Sequence, residues 1–321
     1  GGIFSFNPMP IGGEAINALT GEINGGVGGT TYTIEYTTPI SLCQNSTTKL
    51  ITVNAVPVVT ASSSSVSPLC DGDLLTLTGG GAGLTGTYTW TDGTDNYTDG
   101  LAFTPAVSTA TYTVTGTDAN SCKNTEDVIV TVYPLPTVTA SSSPVSPLCD
   151  GELLTLTGGG AGLTGTYTWT DGTANYTDGL AFTPAVGTTT YTVTGTDPNS
   201  CKNTEDVIVN VNRLTSNPPT ITHIKCFNIN EGKISLSITG GNPPYQYSID
   251  NGSNWTANNT FSNLAAGQYD FSIKDLIGCR YDSIAIVNQP DKIIATIDAD
   301  SSICRKDSTE ITITISSPLD N

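Results

Sequence analysis

Charge is scarce in this chain. Only 12% of its 321 residues are charged, and acids outnumber bases 29 to 11, for a net charge of −18. Globular domains carry about twice that share of charge. An acidic surface repels phosphate backbones and anionic lipid, so no nucleic-acid partner is expected. Histidine occurs once, as His223, and no Cys-x-x-Cys pair is present. That leaves little from which to build a zinc site, and His223, beside a strand near Cys226, reads as structural or exposed. No Gly-x-Ser-x-Gly nucleophile elbow exists, and no acidic pair recurs in the manner of a glycosidase cleft. The glycine-rich stretch 79–83 ends a strand and opens no helix, which argues against a phosphate loop. No run of 18 apolar residues occurs, so no transmembrane helix and no membrane insertion are expected. No signal peptide appears at Gly1, as expected of a mature or excised segment. These absences together point away from an enzyme and from any cofactor.

What fills the chain is Thr, Ser, Gly and Asn, a mixture suited to short strands and tight turns. The strongest internal signal is a repeat. Residues 59–132 and 138–211 differ at only 7 of 74 aligned positions. Within the first copy, 58–61, 74–78, 87–91, 101–103, 111–115 and 127–132 read as strands. Tyr88 and Trp90 fall on one face, Asp92 and Gly93 turn the chain, and 118–120 turn it again. Six or seven short strands with turns every 8–12 residues indicate an immunoglobulin-like sandwich. Trp90 is expected in its core beside a disulfide, with Tyr112 as a corner tyrosine. The fold class is therefore all-β, tandem immunoglobulin-like sandwiches forming a rod. The expected units are a partial domain at 1–56, whole domains at 57–134, 135–214 and 215–290, and a partial domain at 291–321.

Eight cysteines punctuate these units: Cys43, Cys70, Cys122, Cys149, Cys201, Cys226, Cys279 and Cys304. Long and short gaps alternate. Long-gap pairing gives Cys70–Cys122, Cys149–Cys201 and Cys226–Cys279, one bridge inside each whole domain; short-gap pairing would use all eight. The long-gap scheme is preferred, because the turn after the first strand and the turn before the last are taken to share one end of a sandwich. Regular disulfides imply an extracellular location.

Several stretches resemble known families. Pro68, Leu69, Cys70, Asp71 and Gly72, with Tyr88, Thr89 and Trp90, then 110–114 and 118–122, resemble the Ig-like and PKD-like repeats of Bacteroidetes surface proteins. The stretches 240–245 (Gly-Gly-Asn-Pro-Pro-Tyr) and 263–269 (Asn-Leu-Ala-Ala-Gly-Gln-Tyr), with Lys274, Asp275, Gly278 and Cys279, make 221–290 similar to the SprB-type repeat of gliding-motility adhesins. Leu276 and Ile277 depart from that family's polar tendency. Residues 2–5, 16–23 and 31–34 look like the rear of another such Ig-like repeat. The resemblance implies type IX secretion, a very large parent protein and a cell-surface address.

The two partial domains complement each other. Residues 292–297 and 309–315 supply first and second strands around Cys304, and 1–56 supplies the later strands with Cys43. The end of one copy is expected to complete the start of the next, with a Cys43–Cys304 bridge between copies, through a continuous array or by strand complementation. The plain alternative is a segment cut from its array. The remaining candidate sites are modest. The 92–100 loop faintly resembles a calcium loop, but the twin carries Ala174 in place of Asp95 and no acidic twelfth position follows. Asp71, Asp73, Asp118 and Asn120 are expected to share one end of a domain as a weak metal candidate. Asp-Ser motifs at 282–284 and 307–309 mark Ser283 and Ser308 for O-glycosylation. The functional expectation is a structural and adhesive surface filament whose partners are copies of itself and an unknown surface or glycan ligand. The alternative is a carbohydrate- or protein-binding accessory module of a secreted enzyme, which exposed Tyr245, Tyr247 and Trp255 on one face would favour.

Overall fold

A computed structural model describes residues 1–64, 68–298 and 308–316. Among the described residues the elements are strands, apart from one short 3-10 turn at Ile40–Leu42. The fold class is as expected: all-β, in tandem immunoglobulin-like sandwiches. Contacts divide the chain into two units, Gly1–Pro136 with Thr196–Lys202, and Thr137–Gly195 with Asn203–Asn321.

The first whole sandwich shows how composition becomes structure. One sheet places Asn96–Thr98, Thr87–Thr91, Thr109–Thr117, Lys123–Tyr133 and Leu69–Cys70 side by side; the other is Ala102–Phe103, Leu75–Gly80 and Thr60–Ser63. Along Thr109–Thr117 the side chains of Tyr112 and Val114 are buried while the threonines between them stay partly exposed, the period-2 alternation of a half-buried strand. Leu75, Leu77, Trp90, Val114, Val130 and Val132 form the centre of the core. Trp90 is buried as expected, and its indole N–H donates to Asp99 Oδ1, which also accepts from the Gly79 amide. Tyr112 packs with Tyr97 and Phe103 in an aromatic trio. Burial and the nearby Asp92 carboxylate push its phenol above the ordinary value. The twin copy repeats these features with Trp169, Asp178, Tyr191, Tyr176 and Phe182. Gly81 and Gly160 are dictated by close approach. Each has a left-handed φ, 87° and 88°, and a Cβ there would sit 1.7 Å from a carbonyl oxygen of Val58 or Thr137.

Two short strands were not anticipated. Leu69–Cys70 exists only because it pairs, in parallel, with the end of Lys123–Tyr133. Asn96–Thr98 is held by pairing Tyr97 with Trp90. Neither has a hydrophobic pattern long enough to announce itself.

The third domain has a three-stranded sheet of Thr220–Thr222, Gly232–Ser235 and Thr260–Leu264, and a second of Gln246–Ser248, Gly267–Lys274 and Arg280–Val287. Ile234, Leu236, Phe271, Ile273 and Val287 fill the space between them. The amino-terminal segment is a single main sheet, Ile3–Phe6, Thr30–Thr37 and Ser46–Val53, with a small Ala15–Ile16 and Ile23–Asn24 hairpin. Its core is Phe6, Tyr32 and Ile34. Strands Ile294–Asp298 and Thr312–Ser316 pair as an antiparallel hairpin.

The disulfides overturn the expected pairing. Cys70 bonds to Cys201 and Cys149 to Cys279, with Cα–Cα distances of 5.5 and 5.2 Å and sequence separations of 131 and 130. Cys122, Cys226 and Cys43 are free thiols. Neither Cys70–Cys122, Cys149–Cys201 nor Cys226–Cys279 forms. The reason is strand direction. Cys70 lies opposite Tyr133, at the trailing end of the last strand, while Cys122 directly precedes that strand's first residue. An 11-residue strand is roughly 35 Å long, far beyond the ~7 Å Cα reach of a disulfide. First and last strands run parallel, so the turn after one and the turn before the other lie at opposite ends. The Cys70–Cys122 bridge expected beside Trp90 therefore does not form. The expected Cys43–Cys304 bridge involves Cys304, which lies outside the described residues.

Candidate functional site: the cysteine-bearing turns and a domain joint

Each whole domain presents its second cysteine on the same turn. In 118–122 the Asp118 amide donates to the Cys122 carbonyl at 3.0 Å. Asp118 Oδ1 accepts from the amides of Asn120 and Cys122 at 2.9 and 2.8 Å, while Ser121 takes a left-handed φ of 64°. Asp197, Asn199, Ser200 and Cys201 reproduce the arrangement. In the third domain Asp275 Oδ1 accepts from Ile277 and Cys279, and Gly278 supplies the left-handed residue. A short acceptor followed four residues later by cysteine thus builds a self-hydrogen-bonded turn with the thiol at its end.

The first cysteine of a domain is also held by a local carboxylate. The Cys70 amide donates to Asp73 Oδ2, and in the twin the Cys149 amide donates to Glu152 Oε2, both at 2.8 Å. One extra methylene is tolerated because the side chain stays on the exposed rim. Cys226 occupies the corresponding place in the third domain. Ile224 nearby donates to the carbonyl of Asn288, just past the last strand Arg280–Val287. Every whole domain therefore carries one cysteine at its trailing end (Cys70, Cys149, Cys226) and one at its leading end (Cys122, Cys201, Cys279).

The joint between the second sandwich and the third domain is built around Cys149–Cys279. Cys149 packs against the core of the third domain, and Cys279 is buried. Arg213 Nε donates to Asp150 Oδ2 at 2.7 Å, an exposed pair that contributes little by itself. Asp275 is the polar centre. It is 5% exposed, and besides its two Oδ1 bonds its Oδ2 accepts from the Asn242 amide. The motif residues of 240–245 surround it. Gly240 and Gly241 take φ of 74° and 68°, and Tyr245 donates its hydroxyl to the Gly240 carbonyl. These residues hold the turn that carries Cys279.

The remaining candidates resolve differently. Asp73 sits beside Cys70 at the trailing end, whereas Asp118 and Asn120 build the leading-end turn. Asp71, Asp73, Asp118 and Asn120 therefore do not share one end, for the same reason of parity. Among the described residues no group of three His, Cys, Asp or Glu side chains is placed to hold a metal. In the 92–100 loop Asp92 is occupied by its own turn: Oδ1 accepts from Thr94 N, Thr94 Oγ1 and Asp95 N, and Oδ2 accepts from the Tyr97 hydroxyl. Those bonds, the Asp95 amide foremost, hold its carboxyl well below the usual range. Asp171 repeats this with the Ala174 amide, so the Asp95 side chain is dispensable to the turn. His223 Nδ1 accepts from the Asn288 amide, a structural use. Tyr247 is buried in the core, and Trp255 lies under Lys274 Nζ at 4.2 Å from the ring centroid, so Tyr245, Tyr247 and Trp255 do not form one exposed aromatic face. Ser283 is half-buried inside Arg280–Val287, and Ser308 is exposed.

Comparison with known proteins gives two kinds of result. The SprB repeat family profile matches residues 219–254, within the third domain. No curated protein matches. Among solved structures, the eight amino-terminal Ig domains of the Down Syndrome Cell Adhesion Molecule align at 12% identity and a TM-score of 0.40, over 90% of this chain and 45% of that one. The chain thus spans less than half of that structure. The I67–I69 fragment of titin aligns at 12% identity and a TM-score of 0.36, over 73% and 99%. Fibronectin(III)-like modules of Clostridium thermocellum CbhA align at 14% and 0.30, over 49% and 95%. The chain is an array of immunoglobulin-like sandwiches containing a segment similar to the SprB repeat.

Proposed function

We propose that this protein is a non-catalytic, extracellular structural segment of a long surface adhesin, in which the twin sandwiches act as spacers that hold a binding region away from the cell. The observation that carries this reading is the course of the two disulfides. Each closes a loop of about 130 residues that runs from one sandwich into the next. A bridge of this kind ties one sandwich to its neighbour. It resists extension of an array. With both bridges intact, the shortest covalent path along the chain follows 1–70, 149–201 and 279–321, roughly half its residues. The match of 219–254 to the SprB repeat and the need for an oxidising compartment support a cell-surface address.

Antibodies raised against residues 57–290 test the reading. Labelling of intact source cells, with extended fibres in negative-stain images of the native material, is the expected result. Labelling only after permeabilisation, or compact particles, would overturn it.

A further inference from the structure

The third domain holds a cation whose hydrogen-bond donors the fold leaves unspent. In its second sheet Gln246, Lys274 and Arg280 stand in one row across the three strands. The neighbouring row, Tyr247, Ile273 and Tyr281, packs into the core. Period 2 therefore turns the first row outward. Lys274 and Arg280 are like charges directly opposite each other, an arrangement that destabilises a sheet. Arg280 is neutralised locally. Its Nε donates to Asp282 Oδ1 at 2.6 Å, and its Nη2 donates to Ser272 Oγ and to the carbonyl and side-chain oxygens of Asn251. Lys274 has no such partner: among the described residues no carboxylate lies within ion-pair distance of it. Its Nζ sits 4.2 Å from the centre of the Trp255 ring. That contact holds the ammonium in place and leaves the N–H groups that point away from the ring unspent.

Lys274 stands at the edge of a groove of about 380 Å³. One wall is Pro244 and Gln246, and the other is the turn at 274–278. The Leu276 amide ties the two together by donating to the Asn242 carbonyl at 2.9 Å. Pro244, Leu276 and Ile277 give the groove apolar surface, and Leu276 is 67% exposed. Gln246 adds an exposed side-chain amide. Asp275 also lines the groove, but its carboxylate is turned to the amides of Asn242, Ile277 and Cys279, so its charge is met inside the turn.

We infer that this groove binds a uronate residue of an acidic polysaccharide. The sugar carboxylate takes the Lys274 ammonium, its hydroxyls meet the Gln246 amide, and its C–H face rests on Pro244 and Leu276. One carboxylate per sugar fits one unspent cation. A densely charged polyphosphate or nucleic acid is repelled by a chain of net charge −18. A sparsely charged glycan is governed by the nearest groups, because screening confines such forces to about 8 Å at physiological ionic strength. An acidic peptide offers the carboxylate but no apolar ring face edged with hydroxyls to match Leu276 and Gln246. Trp255 serves here by holding Lys274, not as an exposed aromatic platform. The inference deepens the adhesive reading above and rests on it only for a ligand met outside the cell.

The whole oxidised chain, labelled with 15N, is titrated with tetragalacturonate and followed by NMR. The Trp255 indole and Gln246 side-chain amide signals are expected to shift and saturate. Those of Trp90 and Trp169, each 1% exposed in the twin cores, are expected to stay still. The methyl-esterified tetramer keeps the sugar and removes the charge, while tetraglutamate keeps the charge and removes the sugar. Both are expected to bind about tenfold more weakly or worse. Lys274→Met is expected to weaken tetragalacturonate binding about tenfold or more, because a charge-assisted hydrogen bond is lost. Lys233→Met, on the other sheet of the domain, is expected to leave it unchanged. Unmoved Trp90 and Trp169 signals and an intact Cys149–Cys279 peptide report that each variant is folded. No saturable shift, equally tight binding of the ester or of tetraglutamate, or undiminished binding by Lys274→Met would each overturn the inference. None of these outcomes bears on cell labelling or on fibre length, so the site and the adhesive reading fail separately.

Discussion

The turns 118–122 and 197–201 differ at one residue, Ala119 against Pro198, and are built by the same hydrogen bonds. Yet Cys201 is bridged and fully buried, while Cys122 is a free, half-exposed thiol. The turn presents the sulfur; the neighbour decides whether it is bonded. A disulfide in this chain is therefore a property of a joint between domains and cannot be assigned from one domain alone.

The sharpest way to break that comparison is mechanical. Pulled from its ends, the oxidised monomer is expected to extend to roughly half the contour length of the reduced one, at about 3.3–3.6 Å per residue. Cys201→Ser should lengthen it, and Cys122→Ser should leave it unchanged. Equal lengths with and without reductant in single-molecule traces would refute the bridging scheme.

Thermodynamic stability provides the second contrast. Opening a loop of 131 residues removes up to about 5 kcal/mol under the chain-entropy account. Denaturant titration should show a loss of several kcal/mol for Cys201→Ser and almost none for Cys122→Ser in the monomer. Alkylation of the native protein should modify Cys122 and spare Cys201.

A smaller effect separates the turn-forming aspartates. Asp275 is buried and satisfies three backbone amides, whereas Asp118 is more exposed and satisfies two. Leaving buried donors unpaired costs about 1–3 kcal/mol each at most. Asp275→Ala should thus cost about 2–4 kcal/mol and Asp118→Ala about 1 kcal/mol, read from chemical denaturation of each variant.

The smallest predicted difference lies in the 92–100 loop. Asp95→Ala should be neutral, because Ala174 holds the same turn in the twin. Asp92→Asn should loosen it. The Asp92 carboxyl is held below its unfolded value by its hydrogen bonds. Its contribution is present above the ordinary carboxylate pKa and is lost as pH falls through the lower folded value. Carboxyl carbon shifts followed by NMR from pH 6 downward should therefore show Asp92 and Asp171 titrating after the exposed carboxylates. Titration with the bulk would contradict the geometry.

Much of the architecture was legible in the residues. Alternation in 87–91 and 111–115 marked strands, and the twin repeat marked tandem units. The Gly-Gly-Asn-Pro-Pro-Tyr stretch carried the resemblance to the SprB-type repeat, although its place around buried Asp275 was not legible. The wrong disulfide assignment came from strand parity. A chain that enters a sandwich at one end and leaves at the other must run its first and last strands in parallel, and that condition, already implicit in a rod, places Cys70 and Cys122 at opposite ends. The metal candidate at Asp71, Asp73, Asp118 and Asn120 failed on the same point. The exposed aromatic face that would have favoured a binding module is not formed, because Tyr247 is buried in the core of its domain.

By itself the sequence determined the all-β class, the repeat and the turn chemistry, because each depends on local periodicity and on residues a few positions apart. Only the tertiary structure decided which sulfurs meet. That pairing depends on the direction of strands and the stacking of neighbouring domains across about 130 residues, and no local pattern encodes a distance of that kind.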